Sequence, residues 1–255
     1  MRKLGLIGGM SWVSTRTYYE HINRIVQART DRRSSAPLLI ESLDFAQLYA
    51  VREDADWERA AKILIASARR LEQVGAGALI IGANSMHKVY DQVAEAVAVP
   101  IIHIAECVGE RMGTDKVAEA VSVPIFHIAE CVGERMAEDG VTTAALLGTR
   151  NVMTESFYRR RLVAHGVDLL PPDMNNVEAL DEIIYEQLMV GKATRDAERL
   201  LKTIITVKEQ EGAKAIVLAC TELDQIVDVD ANVLPIYDST QIHADKAAEW
   251  ILGEG

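Results

Sequence analysis

The chain has 255 residues, 49% of them apolar and 25% charged, the balance of a globular protein. Its net charge of -11 argues against nucleic acid as a partner, because phosphate binding asks for a basic face and Arg32-Arg33 and Arg159 to Arg161 are only short runs. No stretch reaches the roughly 18 uncharged apolar residues of a membrane helix, and three cysteines without CxxC spacing indicate neither a disulfide framework nor a zinc site.

The chain opens with MRKLGLIGGM, basic and then apolar. The apolar part is too short for an export signal and runs into a helical pattern without a processing site, so Leu4–Ile7 reads as a buried strand and the expected location is the cytoplasm. Trp12–Ala28 has helical spacing with Ser11 as N-cap. Leu38–Ser42 is a strand, and Trp57–Val74 a helix ending at Gly75. Ala78–Ile81 is a strand, Asp91–Val97 a helix and Ile101–Ala105 a strand. The second half repeats the pattern: strand Ala144–Leu147, helix Thr154–His165, strand Val167–Leu170, helices Val177–Met189 and Arg195–Glu211, and strand Ala215–Ala219. Strand Leu234–Tyr237 and helix Gln241–Ile251 follow. Alternation of this kind predicts an α/β fold with parallel sheets covered by helices, and ligands then bind at the carboxyl ends of the strands.

One stretch is unusual. Residues 93–112 and 117–136 match at 18 of 20 positions at an offset of 24, differing only at Ala98/Ser122 and Ile102/Phe126. A single near-identical pair is a tandem duplication rather than a repeat architecture, which needs three or more units. A parallel sheet has one slot for this strand, so the other copy extends an edge, forms an excursion or pairs with another chain. Cys107 and Cys131 are copies in an amphipathic helix pattern and read as structural. His103 and His127, beside apolar residues, read as core histidines.

Three strand ends carry candidate chemistry. Gly8-Gly9-Met10-Ser11-Trp12 follows the first strand, where glycines admit a ligand close to backbone and the next helix presents free N–H groups. A plain tight turn is the alternative, and no nucleotide fingerprint is present. Gly82-Ala83-Asn84-Ser85-Met86-His87-Lys88 follows the third strand, with Asn84 either a ligand to a carboxylate or a helix cap. Cys220-Thr221-Glu222-Leu223 follows the strand Ala215–Ala219. There helix N–H groups would lower the thiol from ~8.5 toward neutrality. For a lone cysteine the commoner reading is structural burial.

Taken in order, GGMSW with Ser14-Thr15, NSMHK, Leu147-Gly148-Thr149-Arg150 and ACTEL resemble the aspartate/glutamate racemase family over essentially the whole chain apart from the 24 extra residues. The resemblance implies two flavodoxin-like domains facing each other across a cleft, residues 1–99 with 236–255 forming the first and 100–235 the second, in a homodimer. It implies cofactor-independent removal of the Cα proton of an acidic amino acid by two residues on opposite faces of the substrate, commonly cysteines, with backbone N–H groups holding the carboxylates. Cys220 matches the second-half cysteine. The first-half position is Ala83, which carries no exchangeable proton, so racemisation is impaired or one-sided unless Ser85, His87 or a water stands in. Met10, Ser11, Asn84, Ser85, Met86, Thr149, Thr221 and Glu222 match binding positions, and Arg52 and Lys192 are the positive groups expected at a side-chain carboxylate, or else solvated surface charges. Two alternatives stand beside this reading: a single-cysteine decarboxylase or isomerase of a small dicarboxylate, similar to the arylmalonate decarboxylases, and a non-catalytic dicarboxylate-binding variant, inactivated or engineered at Ala83.

Overall fold

The computed structural model describes residues 1–48, 54–98, 127–228 and 232–253. Two parallel sheets emerge, as the alternating pattern predicts. In the first, β1 (Leu4–Gly8) lies between β2 (Leu38–Ser42) and β3 (Ala78–Ile81). In the second the order is β5 (Asp168–Leu169), β4 (Thr143–Gly148), β6 (Ala215–Ala219) and β7 (Ile236–Asp238). The apolar runs LGLIG, ALII and AIVLA are wholly buried because helices cover both faces.

The period of two along each strand sorts side chains between cores. Leu4 and Leu6 of β1, Ala144 and Leu146 of β4, and Ala215 and Val217 of β6 all enter one central core. That core holds Tyr18, Ile22 and Val26 of α1 (Trp12–Arg29), Ile128, Cys131, Val132 and Met136 of α4 (Ile128–Glu138), and Trp250 and Ile251 of α9 (Ser239–Leu252). The intervening α3 is the short Tyr90–Ala94. The alternate residues face outward: Ile7, Leu79 and Ile81 meet Trp57, Leu64 and Leu71 of α2 (Asp54–Gln73). Leu147, Ile216 and Leu218 meet α7 (Met174–Glu186) and α8 (Arg195–Gln210). The two halves are therefore joined through shared helices.

Some boundaries differ from expectation. The helix expected at 154–165 breaks at Glu155, whose backbone is extended, into α5 (Arg150–Thr154) and α6 (Ser156–Ala164). The strand expected over 167–170 pairs only at Asp168–Leu169. Residues 236–255, assigned to the first domain, divide: Ile236–Asp238 pairs with β6 in the second sheet, and only α9 packs back on α1. His127 and Cys131 of the second repeat copy take the core roles expected, with His127 Nδ1 accepting from Ala129 N–H at 3.1 Å to cap α4. The strand at 101–105, His103, Cys107 and most of the first copy lie outside the described residues, as does Arg52.

Candidate active site

Strand register brings the motifs to one level. Gly148 pairs with Ala219 and Leu218 with Asp238, so Thr149, Cys220 and the start of α9 leave the second sheet together. Ile7 pairs with Ile81, which places Gly8-Gly9 beside Gly82-Ala83 at the corresponding end of the first sheet.

The first loop depends on its glycines. Gly9 has a φ of +82°, and a Cβ there would meet the Leu43 carbonyl oxygen at 2.2 Å. Its N–H donates to Thr15 Oγ1 at 2.6 Å. Ser11 caps α1 as expected, Oγ accepting from Val13 N–H at 3.2 Å and Ser14 N–H at 3.5 Å. Ser14 Oγ donates to the carbonyls of Ser11 at 3.0 Å and Gly82 at 3.3 Å, tying the first loop to the second.

In the second loop Ala83, Met10 and Met86 are buried together in the core under α2. Asn84 starts a 3-10 turn, Ser85–Val89, without capping it through its side chain. Instead Nδ2 donates to Ser239 Oγ at 3.1 Å, while the buried Oδ1 has no hydrogen-bond partner among the described residues. Ser85 is half-buried. His87 turns inward: Nε2 lies 3.3 Å from the Ile81 carbonyl oxygen, and the ring stacks on Tyr90 and meets His127 edge-on at 4.5 Å. It belongs to a buried histidine–tyrosine cluster that also includes Tyr18 OH and His243 Nδ1, 2.8 Å apart.

At the end of β6 the expectation for Cys220 holds in place and fails in acidity. The cysteine is buried, but a short 3-10 turn, Leu223–Ile226, follows it instead of a long helix. Burial, and then the Glu222 carboxylate, push the thiol well above its ordinary value; the Glu222 N–H only partly opposes them. Glu222 is 1% exposed and collects three donors. Ser11 Oγ donates to Oε1 at 2.7 Å, Thr221 Oγ1 to Oε2 at 2.7 Å and Cys220 Sγ to Oε2 at 3.1 Å. The carboxylate thus joins the first loop to the last. Asp224, two residues on, is raised to about 7 by burial, then by Asp238 and Glu222.

Thr149 precedes α5, and its buried Oγ1 has no hydrogen-bond partner among the described residues. Lys192 is exposed just after Gly191, where an added Cβ would lie 3.3 Å from the ring of Trp12. Trp12 itself is 57% exposed, with Arg16 5.8 Å from its ring. Lys88 pairs with Glu155 Oε2 at 2.7 Å and lies over the Trp57 ring, and so is not free for a ligand. Sequence reading missed Asp238-Ser239-Thr240, although these end and directly follow β7 and the strand-end rule points to them as it does to Cys220. Asp238 Oδ1 accepts from the N–H groups of Thr240 at 2.8 Å and Gln241 at 3.3 Å, capping α9.

The arrangement supplies a thiol, a buried carboxylate and two unspent side-chain oxygens at the ends of two sheets. That set suits proton transfer on a small polar molecule. The family model for Asp/Glu/hydantoin racemases matches residues 7–114 and 107–247, the two stretches meeting within the repeat. A broad-specificity amino-acid racemase of Bacillus subtilis, RacX, is 22% identical over 229 residues, covering 82% of this chain and 88% of that protein. The structure of a candidate Asp/Glu racemase from Yersinia pestis is 34% identical, covers 99% of this chain and 100% of its own, and superposes with a TM-score of 0.79. That of an aspartate racemase homologue from Pyrococcus horikoshii is 29% identical, with coverage of 99% and 100% and a TM-score of 0.76.

Proposed function

The chain belongs to the Asp/Glu/hydantoin racemase family, and from that premise we propose that it moves the Cα proton of an acidic amino acid with Cys220 as acid/base and without pyridoxal. The observation that carries this reading is Cys220 itself, at the carboxyl end of β6 and hydrogen-bonded to the carboxylate that reaches the first loop. A Cα–H is a far weaker acid than a thiol, so the developing carbanion needs nearby donors. Thr149 Oγ1 and the second proton on Asn84 Nδ2 are the donors this chain offers to the substrate carboxylates, Asn84 Oδ1 can accept from the α-amino group, and Lys192 and Arg52 remain the positive groups expected from the sequence.

Ala83 makes the reaction one-sided. With no proton to give from that face, a carbanion formed at Cys220 is reprotonated by Cys220. In D2O the preferred enantiomer of aspartate or glutamate then exchanges its α-proton faster than it racemises. NMR of the α-proton alongside chiral chromatography separates the two rates. Ala83→Cys, which restores a second thiol, is expected to bring racemisation up toward the exchange rate. Absence of exchange with either enantiomer of both amino acids, in the wild type and in Ala83→Cys and Ala83→Thr, would reject the reading.

A second reading draws on Ala83 and on the Cys220 thiol proton directed at Glu222. One thiol suffices to protonate an enediolate after loss of CO2 from a disubstituted malonate. CO2 release from such a malonate, lost in Cys220→Ser, would favour it over racemisation.

A further inference from the structure

Glu222 has a place in the site that substrate binding does not explain. Ser11 Oγ spends its acceptor capacity on the N–H groups of Val13 and Ser14, so its proton is directed to Glu222 Oε1. Thr221 and Cys220 have their own donors 2.7 and 3.1 Å from Oε2. Three side chains that can donate converge on its two oxygens, which a carboxylate can accept together. The group is buried, and its partners among the described residues are hydroxyls and a thiol. An ionised oxygen 3.1 Å from sulfur disfavours a thiolate, since two like charges would then share a dry site.

We propose that Glu222 is a positioning residue for Cys220 and not a substrate contact: its carboxylate holds the proton on Sγ in the resting site and makes the thiolate, once that proton leaves, a stronger base. This rests on the reading of Cys220 as the acid/base. Rotation about Cβ–Sγ turns the proton toward the substrate. With Ala83 inert, the carbanion it meets is one that Cys220 made as a thiolate, the Cα–H bond breaking as the S–H bond formed; on return the S–H bond breaks, a C–H bond forms at Cα, and the negative charge passes from carbon back to sulfur. The sulfur so charged beside Glu222 is a strong base for the reverse step, which suits a weak carbon acid. Ser11 lies on the other half of the chain, so the same carboxylate ties the first loop to the thiol.

The test needs no substrate. The rate at which iodoacetamide alkylates Cys220, read by mass on its peptide, is followed against pH. The other ionisable groups near the pair are Asp224 on the same loop, Asp238 at the end of β7, and Arg16 and Tyr18 of α1. Asp224, raised to about 7, is charged before the thiol titrates. Burial holds Tyr18 neutral. The wild-type inflection is expected above the ordinary thiol range of about 8.5, and in Glu222→Gln it falls by about one unit, with about tenfold faster alkylation at neutral pH. Glu222→Asp, which draws the charge back by one methylene, is expected in between and serves if the Gln variant does not fold. An unchanged inflection in the folded variants, or a wild-type inflection at or below the ordinary value, overturns the proposal. If the variants shift as expected but no α-proton exchange is found, the racemase reading alone fails.

Discussion

Ser11 and Glu222 stand 211 residues apart and share a hydrogen bond of 2.7 Å, Oγ donating to Oε1. One side chain thus serves as the N-cap of α1 and as the donor that ties the first-sheet loop to the last loop of the second sheet. Ser11→Ala removes both functions. Loss of a cap and of a partner to a buried charge together are expected to cost about 1–3 kcal/mol. In a chain of this size each kcal/mol lowers the midpoint by about 2–4 °C, which thermal unfolding by circular dichroism will read. A change within error would mean that the contact contributes nothing to holding the halves together.

The two described cysteines should separate cleanly in mutation. Cys220 ends β6 at the site, whereas Cys131 is buried in the central core on α4, where burial first and then Glu134 raise its thiol far beyond the range of useful acidity. Cys220→Ser replaces the thiol by a hydroxyl that is a much weaker acid. It is expected to lower α-proton exchange about a thousandfold or more at little cost in stability. Cys131→Ala leaves exchange intact and destabilises by about 1 kcal/mol through the small cavity it opens. Equal loss of exchange in both variants would mean that Cys220 acts through structure alone.

Much of this was legible in the sequence, for reasons that also mark where legibility ends. The runs at 4–7, 78–81 and 215–219 are apolar without interruption and end in glycine or polar residues, so the strands and their carboxyl ends could be read directly. Ser11 before a helical pattern announced its cap. The Glu222 network was not legible, because its donors come from positions 11, 220 and 221 and only folding brings Ser11 there. The Asn84–Ser239 contact spans 155 residues and was hidden in the same way. The sign of the shift at Cys220 was misread because a strand end followed by polar residues suggests a helix N-terminus. The chain instead makes a short turn and buries a carboxylate beside the sulfur.

Asp224 gives the fold a definite pH dependence. Its carboxyl sits at about 7 in the folded protein, raised by burial, then by Asp238 and Glu222, against about 3.9 in an unfolded chain. Between those values the folded state binds more protons than the unfolded one, so stability falls as pH rises from about 4 to 7 and is level above. The full shift corresponds to about 4 kcal/mol; partial exposure to solvent reduces the expected effect to about 1–2 kcal/mol. Asp224→Asn should therefore be more stable than the wild type at pH 8, by that amount, and equal to it near pH 4. Urea unfolding at both pH values checks this, and a variant no more stable at pH 8 would refute it.

The repeat yields the last prediction, because the second copy shows what the fold requires of this segment. Residues 127–136 supply the cap and helix that fill the slot beside α1 and α9, with His127, Ile128, Ala129, Cys131, Val132 and Met136 all buried. Gly133 is needed there as well: a Cβ would meet the ring of His165 at 2.5 Å. Residues 103–112 carry the identical ten-residue sequence HIAECVGERM. Deleting residues 103–126 therefore leaves every residue of the slot in place and brings Ile102 directly before His127. The slot lies between the second loop and β4, so neither Cys220 nor Glu222 changes its neighbours. The shortened chain is expected to fold with a midpoint within a few degrees of the full chain and to retain the same Cys220 alkylation profile. Insoluble expression, or a profile displaced by a unit or more, would mean that the added copy is integral to the packing of the slot.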